Sequence, residues 1–349
     1  MTSGTKTCAW WLVGIGSCLL LGSVGAQVSS TPKVAATMSD PYRQTSFAEA
    51  YSTPVFGHWR AHHLVTYGGQ QRTSGKEPAV TAYDQSGTMT HQAYPWFEGA
   101  KTVSVSDASM NNSGRLVVSG GTTSQDGVIA NFIGRIGKDG HFDQVVRTSP
   151  FLPVYICPAD DGTVWAYGVD RDKQLKAVPG SSLLRQFSLE KGQLRTVDTS
   201  GLAPGWSQLL QGPHPASVTL NCNSKTVILH NDKVHQLAEY DVGSGSLRIV
   251  EVMPLPGDPY ITGVALTSSG DLFASYQFFE HVPQAAGLFK FTAEDNSSGR
   301  WMVVGGTFGA IEVGSAVSQI IGADRDDVVY LRNVRGDDVF WSKQAPPPK

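Results

Sequence analysis

Glycine recurs at nearly equal intervals along this chain, each time in the turn between two apolar segments. Gly87, Gly140, Gly192, Gly245 and Gly299 are separated by 53, 52, 53 and 54 residues. The segments around them read as strand, polar turn and strand, as in AVTAYDQSGTMT and FIGRIGKDGHFD. A repeat of this length predicts tandem copies of one small structural unit, each of which buries its apolar face against the next.

A second set of hairpins alternates with the first. Polar clusters lead into runs rich in Val, Leu, Ile and aromatic residues in SMNNSGRLVVSGG, PADDGTVWAYG, NCNSKTVILHN, LTSSGDLFASYQ and ADRDDVVYLRN. Asn, Asp, Ser and Gly suit such turns because they bond to the local backbone or tolerate left-handed geometry. We therefore interpret Asp160 and Asp161 as turn residues rather than a catalytic pair, since equivalent turns carry Ser and Lys there.

Two hairpins per repeat give a four-stranded antiparallel unit, and tandem units of this kind are typical of a β-propeller. We predict an all-β fold, a β-propeller of six four-stranded blades, with seven blades as the alternative and an open β-solenoid or two stacked sandwiches as less favoured arrangements. The last repeat stops after DDVFWSKQA, before its outermost strand. Segment 27–52 is predicted to supply that closing strand, which removes exposed sheet edges. The propeller is placed at residues 53–345, and residues 346–349 form a C-terminal tail.

The first 26 residues have the pattern of a Sec-type export signal. Lys6 precedes the apolar stretch AWWLVGIGSCLLLGSVGA, and Val24 and Ala26 fit the small-residue rule for cleavage before Gln27. The predicted location is periplasmic or extracellular, with no stable membrane insertion after cleavage. The alternatives are an uncleaved N-terminal membrane anchor and lipidation at Cys18.

Two cysteines follow the predicted signal, Cys157 and Cys222. An even pair in an exported protein is a candidate disulfide, because oxidising compartments allow such bonds to persist. The alternative is two buried thiols that pack as small apolar groups.

The segment DPYITGVALTSSGDLFASY, residues 258–276, resembles the repeat of the six-bladed propellers in the NHL-repeat and gluconolactonase-like (TolB-like) superfamily. The resemblance runs through residues 55–345 and implies the propeller fold. It also implies the activities of that superfamily, a calcium-dependent lactonase with acidic and asparagine ligands near the axis, or a lyase that relies on a histidine. Thr262 stands where the lactonases carry an asparagine ligand, so we expect no cofactor, with calcium as the alternative.

Two motifs resemble metal sites in composition. HWRAHH, residues 58–63, would bring His58 and His62 together on a helix, but the LVTYGG that follows is typical of a strand, on which His62 and His63 point to opposite faces. ADRDDVV lacks the sixth-position glycine and the final glutamate of a calcium-binding loop. No serine lies in a nucleophile elbow. No catalytic residue and no metal ligand is therefore predicted.

Long aromatic connections between the predicted strands provide the candidate ligand site. We expect the loops between blades, and those between second and third strands, to meet at one mouth where aromatic faces and a few charges bind a ligand. The candidates are Trp96, Glu98, Arg171, Trp206, Tyr260, Phe279, Glu280, His281 and Glu312. The competing interpretation is that these aromatic residues pack between blades.

The predicted function is ligand or protein binding by an exported, monomeric propeller, with an unknown protein, peptide or glycan as its partner. The alternatives are a metal-dependent lactone hydrolase or lyase, and a structural scaffold of an envelope assembly. The formal net charge of -3 gives the surface no general attraction for nucleic acid, so nucleic acid is not an expected partner.

Overall fold

The computed structural model describes residues 33–37, 56–68, 71–84, 88–159, 161–202, 205–208, 218–231, 236–252, 260–268, 270–277, 287–295, 300–305, 318–323, 328–333 and 338–343. The predicted signal segment 1–26 and the predicted tail 346–349 lie outside these residues.

Twenty-four strands and one helical turn are present among the described residues. In chain order they are β1 (Lys33–Thr37), β2 (Phe56–Arg60), β3 (His63–Tyr67), β4 (Val80–Tyr83), β5 (Met89–Ala93), β6 (Ala100–Met110), β7 (Leu116–Ser124), β8 (Ile129–Ile136), β9 (Phe142–Arg147), β10 (Phe151–Pro158), β11 (Thr163–Asp170), β12 (Leu184–Ser188), β13 (Gly192–Val197), α1 (Gly205–Gln208), β14 (Val218–Cys222), β15 (Thr226–Asn231), β16 (Gln236–Asp241), β17 (Ser246–Val252), β18 (Tyr260–Leu266), β19 (Leu272–Gln277), β20 (Gly287–Asp295), β21 (Arg300–Gly305), β22 (Ser318–Ala323), β23 (Val328–Asn333) and β24 (Asp338–Lys343). Within this part of the chain, no helix has the length and apolar character needed to cross a membrane.

The strands pair in antiparallel groups of four. β2 to β5, β6 to β9 and β10 to β13 each form a sheet in chain order. β14 to β17 and β18 to β21 join into one eight-stranded sheet through the parallel pairing of β17 with β21. β1 pairs with β24 in the order β1-β24-β23-β22, with Lys33 opposite Trp341. The chain is therefore all-β and has the four-stranded sheets of a propeller.

The first strands of successive four-strand groups lie side by side. β2 contacts β6, β6 contacts β10, β10 contacts β14, β14 contacts β18, β18 contacts β22, and β22 contacts β2. These first strands, here named the inner strands, therefore surround a common axis, the central channel. The predicted count of six blades stays a prediction, because parts of the later sheets lie outside the described residues.

Glycine provides left-handed backbone in the turns between the third and fourth strands of the four-strand groups. Gly140, Gly192 and Gly245 have φ angles of +81°, +78° and +74°. Residues with a Cβ are strained in this region, so glycine is favoured at each turn. This backbone requirement explains why glycine recurs at the same turn of each repeat. Gly87 and Gly299 lie outside the described residues.

Apolar side chains pack between neighbouring sheets, and β11 shows how. Val164, Trp165, Ala166 and Tyr167 are buried in succession, which is typical of a strand covered on both faces. Val164 and Ala166 join an apolar cluster with the β6–β9 sheet, whereas Trp165 and Tyr167 join one with β14 to β17. The Trp165 ring lies 5.3 Å from the Tyr240 ring. The β10–β13 sheet is therefore sandwiched between its two neighbours.

Gly322 in β22 approaches the backbone of β2, and its substitution tests this contact. A Cβ at Gly322 would lie 1.9 Å from the Trp59 carbonyl oxygen. We expect Gly322→Ala to lower the free energy of unfolding by about 2–3 kcal/mol, because one inner strand has to move away from the other. Urea unfolding followed by tryptophan fluorescence measures the change.

Gly201→Ala is the matched control, because an added Cβ at Gly201 meets no atom within 4 Å. Equal stability of the Gly322→Ala and Gly201→Ala variants would contradict the close approach of β22 to β2.

Candidate functional site

A cavity of about 50 Å³ lies on the central channel, at the carboxyl ends of the inner strands. Every inner strand contributes to its lining. A cavity of this size holds several water molecules, or a ligand of a few non-hydrogen atoms. We name it the channel site. Its polar lining residues are His58, Arg60, Ser109, Asn112, Asn221, Asn223 and Ser268.

Asp107 is fully buried next to the channel site. Its carboxylate accepts hydrogen bonds from groups on three inner strands. Its Oδ1 lies 2.8 Å from His58 Nε2 in β2 and accepts from the Ala108 N–H in β6 at 2.8 Å. Its Oδ2 accepts from the Ile156 N–H in β10 at 2.6 Å. The β6 register shifts between Val105 and Asp107, and such a bulge re-aims the side chains that follow it. One carboxylate therefore joins β2, β6 and β10.

His58 is the titratable partner of Asp107 in the lining. Burial lowers the pKa of His58, but the charge of Asp107 and its hydrogen bond raise it by more, so the pKa of His58 lies above its ordinary value despite the opposing charge of Arg60. The His58 side chain is 23% exposed, and its ring stacks on Tyr67 with centroids 6.0 Å apart. Because Nε2 faces Asp107, Nδ1 is the nitrogen left for a ligand.

Arg60 extends from β2 to a disulfide between two other inner strands. Cys157 in β10 and Cys222 in β14 are disulfide-bonded, with their Cα atoms 5.9 Å apart. Arg60 Nη1 lies against both sulfur atoms, 3.6 Å from Cys222 Sγ, and Nη2 donates to the Cys222 carbonyl at 3.4 Å. The guanidinium is thereby held at the channel site.

Two asparagines connect β14 to the next inner strand. Asn221 Nδ2 donates to the Val264 carbonyl at 2.9 Å, and Asn223 Nδ2 donates to the Thr267 carbonyl at 3.1 Å. Val264 lies in β18 and Thr267 directly after it. Together with Asp107 and the disulfide, these bonds join five consecutive inner strands through side chains.

The described lining of the channel site favours an acidic ligand. Its ionisable side chains outside the disulfide, His58 and Arg60, are both bases. Guanidinium and imidazolium groups form strong, charge-assisted hydrogen bonds with carboxylates. The asparagine and serine side chains add hydrogen-bonding groups that suit hydroxyls.

Of the two motifs that resemble metal sites, HWRAHH lies in the described residues, whereas Asp324, Asp326 and Asp327 of ADRDDVV lie outside them. His58 and Arg60 lie in β2 and His63 begins β3, so HWRAHH is strand, turn and strand. The predicted strand at LVTYGG is present as β3, but His62 lies in the turn and not on the strand. Asp161 accepts from the Thr163 N–H at 2.9 Å and from its hydroxyl at 2.6 Å, so it caps its own turn. Among the described residues, no three His, Cys, Asp or Glu side chains come together in a way that could hold a metal ion.

Three of the predicted loop residues lie at the opposite face from the channel site. Trp96, half-buried against Gly75, and the exposed Glu98 lie between β5 and β6. Arg171 follows β11, and its Nη1 donates to the Leu175 carbonyl at 2.6 Å. These connections lie toward the amino ends of the inner strands, whereas the channel site lies at their carboxyl ends. The structure does not bring the three residues into the channel site.

Trp206 is in the core, which corrects its predicted place at an open mouth. Its side chain is fully buried, and its ring packs edge-on against Tyr167 at 6.3 Å. The Tyr167 hydroxyl donates to the Trp206 carbonyl, because α1 brings this backbone onto the β10–β13 sheet. Tyr260 is the first residue of β18, where the backbone alone is described. The remaining candidates lie outside the described residues and stay predictions: Phe279, Glu280, His281 and Glu312.

Sequence reasoning missed Asp107, Arg60 and Asn221 as parts of one site. The available signal was a carboxylate inside a strand segment, VSVSDASM, where a buried charge needs a partner. Its partner, His58, lies in HWRAHH, where the neighbouring histidines indicate a local cluster rather than a distant carboxylate.

Comparisons with known proteins give similar folds at low identity. No family model matches the chain, and no curated protein matches it significantly. A luciferin-regenerating enzyme is 13% identical with a TM-score of 0.45, covering 90% of this chain and 96% of its own. Hydrazine synthase of Kuenenia stuttgartiensis is 12% identical with a TM-score of 0.44, covering 81% and 76%. A gluconolactonase of Xanthomonas campestris is 12% identical with a TM-score of 0.41, covering 90% and 98%. These similarities assign no function to the chain.

Asp107→Asn tests the link between three inner strands. We expect it to lower the free energy of unfolding by about 2–4 kcal/mol, because an amide N–H₂ would face a hydrogen-bond donor in the core. The same substitution should lower the pKa of His58, which loses its carboxylate partner. Chemical denaturation and an NMR titration of His58 measure the two effects.

The control for that substitution is Asp143→Asn, which removes an exposed ion pair with Arg135. A change within about 1 kcal/mol is expected there. If Asp107→Asn is no more disruptive than the control, Asp107 does not hold the inner strands together.

The His58–Asp107 pair should make stability depend on pH. Because the pKa of His58 is raised in the folded protein, the stabilisation by the pair is complete below the unfolded value of 6.5 and is lost as pH rises through the folded value. We expect wild-type stability relative to His58→Gln to decrease over that window. Melting temperatures of both proteins across the window check this, and parallel profiles would refute it.

Proposed function

We propose that this protein is an exported, six-bladed β-propeller that binds a small organic acid at the channel site. The observation that carries the proposal is the convergence of His58, Arg60 and several asparagine and serine side chains on one cavity. A binding role also agrees with the sequence-based expectation of an exported binding module.

The contacts between inner strands support six blades. Six groups of four strands can be formed when the eight-stranded sheet is divided at its parallel pairing, β17 with β21. The contact of β22 with β2 brings the last group against the first. The pairing of β1 with β24 supplies a fourth strand from the N-terminal segment, which is the closure predicted from the repeat.

The size and charge of the cavity support the ligand class. A volume of about 50 Å³ suits a compact molecule rather than an extended peptide or glycan. The guanidinium of Arg60 places a positive charge beside the cavity, which favours a carboxylate ligand. Asn112 and Ser268 come from different turns around the same cavity and add polar groups to its lining.

Binding of a larger protein, peptide or glycan remains a proposal for the opposite face. Val128, between β7 and β8, and Leu175, in the same connection as Arg171, are exposed apolar residues. Exposed apolar side chains beside charged ones are common where proteins bind partners.

A hydrolase or lyase is the second candidate, and the His58–Asp107 pair favours it. A buried carboxylate bonded to one imidazole nitrogen fixes the ring so that the other nitrogen can take a proton from water or from a substrate. In that case the channel site would hydrolyse or cleave a bound lactone or ester as well as bind an acid. The product of that reaction would then be detected after the substrate is added.

Isothermal titration with formate, acetate and lactate at pH 6 tests the proposed ligand class. We expect at least one acid to bind wild-type protein and Arg60→Gln to weaken its affinity about tenfold or more, because a charge-assisted hydrogen bond is lost. Binding should also weaken as pH rises and His58 loses its proton.

The matched control is Arg147→Gln, which removes an exposed arginine of β9 and should leave the affinity unchanged. Circular dichroism confirms that each variant is folded. If none of the acids binds wild-type protein more tightly than Arg60→Gln, the proposed ligand class is wrong.

A further inference from the structure

HWRAHH contains a histidine that the channel site does not use. His63 is the first residue of β3, His91 lies in β5, and both are half-buried. The register places Val65 opposite Ala82, and Ala82 opposite His91. Opposite residues share a sheet face, and so do residues two apart in a strand. His63 and His91 are therefore on the same face of the β2–β5 sheet.

The two imidazole rings are close enough to share an ion. Their centroids are 5.9 Å apart, and their planes are inclined by 71°. A metal bound about 2.0–2.1 Å from an imidazole nitrogen lies roughly 3.2 Å from the ring centroid, so two rings on one ion have centroids about 5–6.5 Å apart. The observed separation is within this range.

The Nδ1 atom of each ring already has a hydrogen-bond partner. His63 Nδ1 donates to the Ala61 carbonyl at 2.7 Å, and His91 Nδ1 lies 3.0 Å from the Thr90 hydroxyl. A carbonyl that accepts from Nδ1 leaves the lone pair on Nε2, which is the arrangement found in metal-binding histidines. Within the described part of the chain, neither Nε2 has a hydrogen-bond partner.

The turn that presents His63 has an unusual backbone. Ala61 and His62 connect β2 to β3 with φ angles of +51° and +61°. A two-residue turn with both residues left-handed normally uses glycine or asparagine, because a Cβ is strained there. Such strain is found most often at functional sites. In this turn it coincides with the Ala61 carbonyl that fixes the ring of His63.

We propose that His63 and His91 together bind one divalent transition-metal ion through their Nε2 atoms. No third His, Cys, Asp or Glu joins them among the described residues, so water takes the remaining coordination positions. Imidazole nitrogen favours copper and zinc over calcium and magnesium. The ion would tie β3 to β5 across β4. Neither histidine lines the channel site, so this is a separate site.

The charge state of His91 agrees with this role. Burial, and then the neighbouring His63, lower the pKa of His91. Its imidazole is therefore neutral near pH 7, and metal binding meets little competition from protons there.

Copper titration of the full chain tests the proposal. Protein purified without a histidine tag is stripped with EDTA and titrated with Cu²⁺, followed by calorimetry and electron paramagnetic resonance. We expect one ion per chain with hyperfine coupling to two imidazole nitrogens. His63→Gln and His91→Gln should each remove one nitrogen from the spectrum and weaken the affinity at least tenfold.

His141→Gln is the matched control, because His141 is a surface histidine that packs beside Tyr94, with ring centroids 5.7 Å apart, and is not part of the pair. It should leave affinity and spectrum unchanged. A Zn²⁺-dependent rise in melting temperature should occur in wild-type protein and be lost in the His63→Gln/His91→Gln double variant. If copper affinity and spectrum are the same in wild-type protein and the double variant, the proposal is overturned.

Discussion

An inner strand of a propeller has a hydrogen-bonding neighbour along one edge, while its other edge faces the axis. The N–H and C=O groups of that edge need partners, because unsatisfied buried backbone groups are costly. Asp107 provides such a partner for the Ile156 N–H, and Asn221 and Asn223 provide them for carbonyls on and after β18. The polar character of the channel site therefore arises first from a structural requirement of the fold.

The same requirement brings charged groups together in the core. A buried carboxylate is costly unless it is paired, and Asp107 is paired with one imidazole and two backbone N–H groups. Its negative charge then holds His58 in place and favours its protonated form. Because one side chain both joins the inner strands and sets the charge of the channel site, changes at Asp107 alter fold stability and site chemistry together.

The propeller fold was predictable because each repeat needs a glycine at the same turn. Gly140, Gly192 and Gly245 adopt left-handed backbone in equivalent turns, and that need is visible in sequence as a period. The channel site was not predictable, because its contacts join distant segments: His58 and Asp107 are 49 residues apart, and Arg60 and Cys222 are 162 apart. Trp206 illustrates the opposite error. A tryptophan in a segment rich in Gly and Pro resembles an exposed loop residue, whereas α1 carries it into the core.

Cys157 and Cys222 lie on neighbouring inner strands, so the 65-residue separation between them forms a covalently closed loop that contains β11, β12 and β13. The connection between β11 and β12 is exposed, with Leu175 48% accessible, and exposed loop tips are where proteases cut most readily. A cut there would leave both fragments linked through the disulfide, each with an inner strand still packed on the channel. As long as the bond is oxidised, a single nick changes the connectivity of this protein without releasing any part of it.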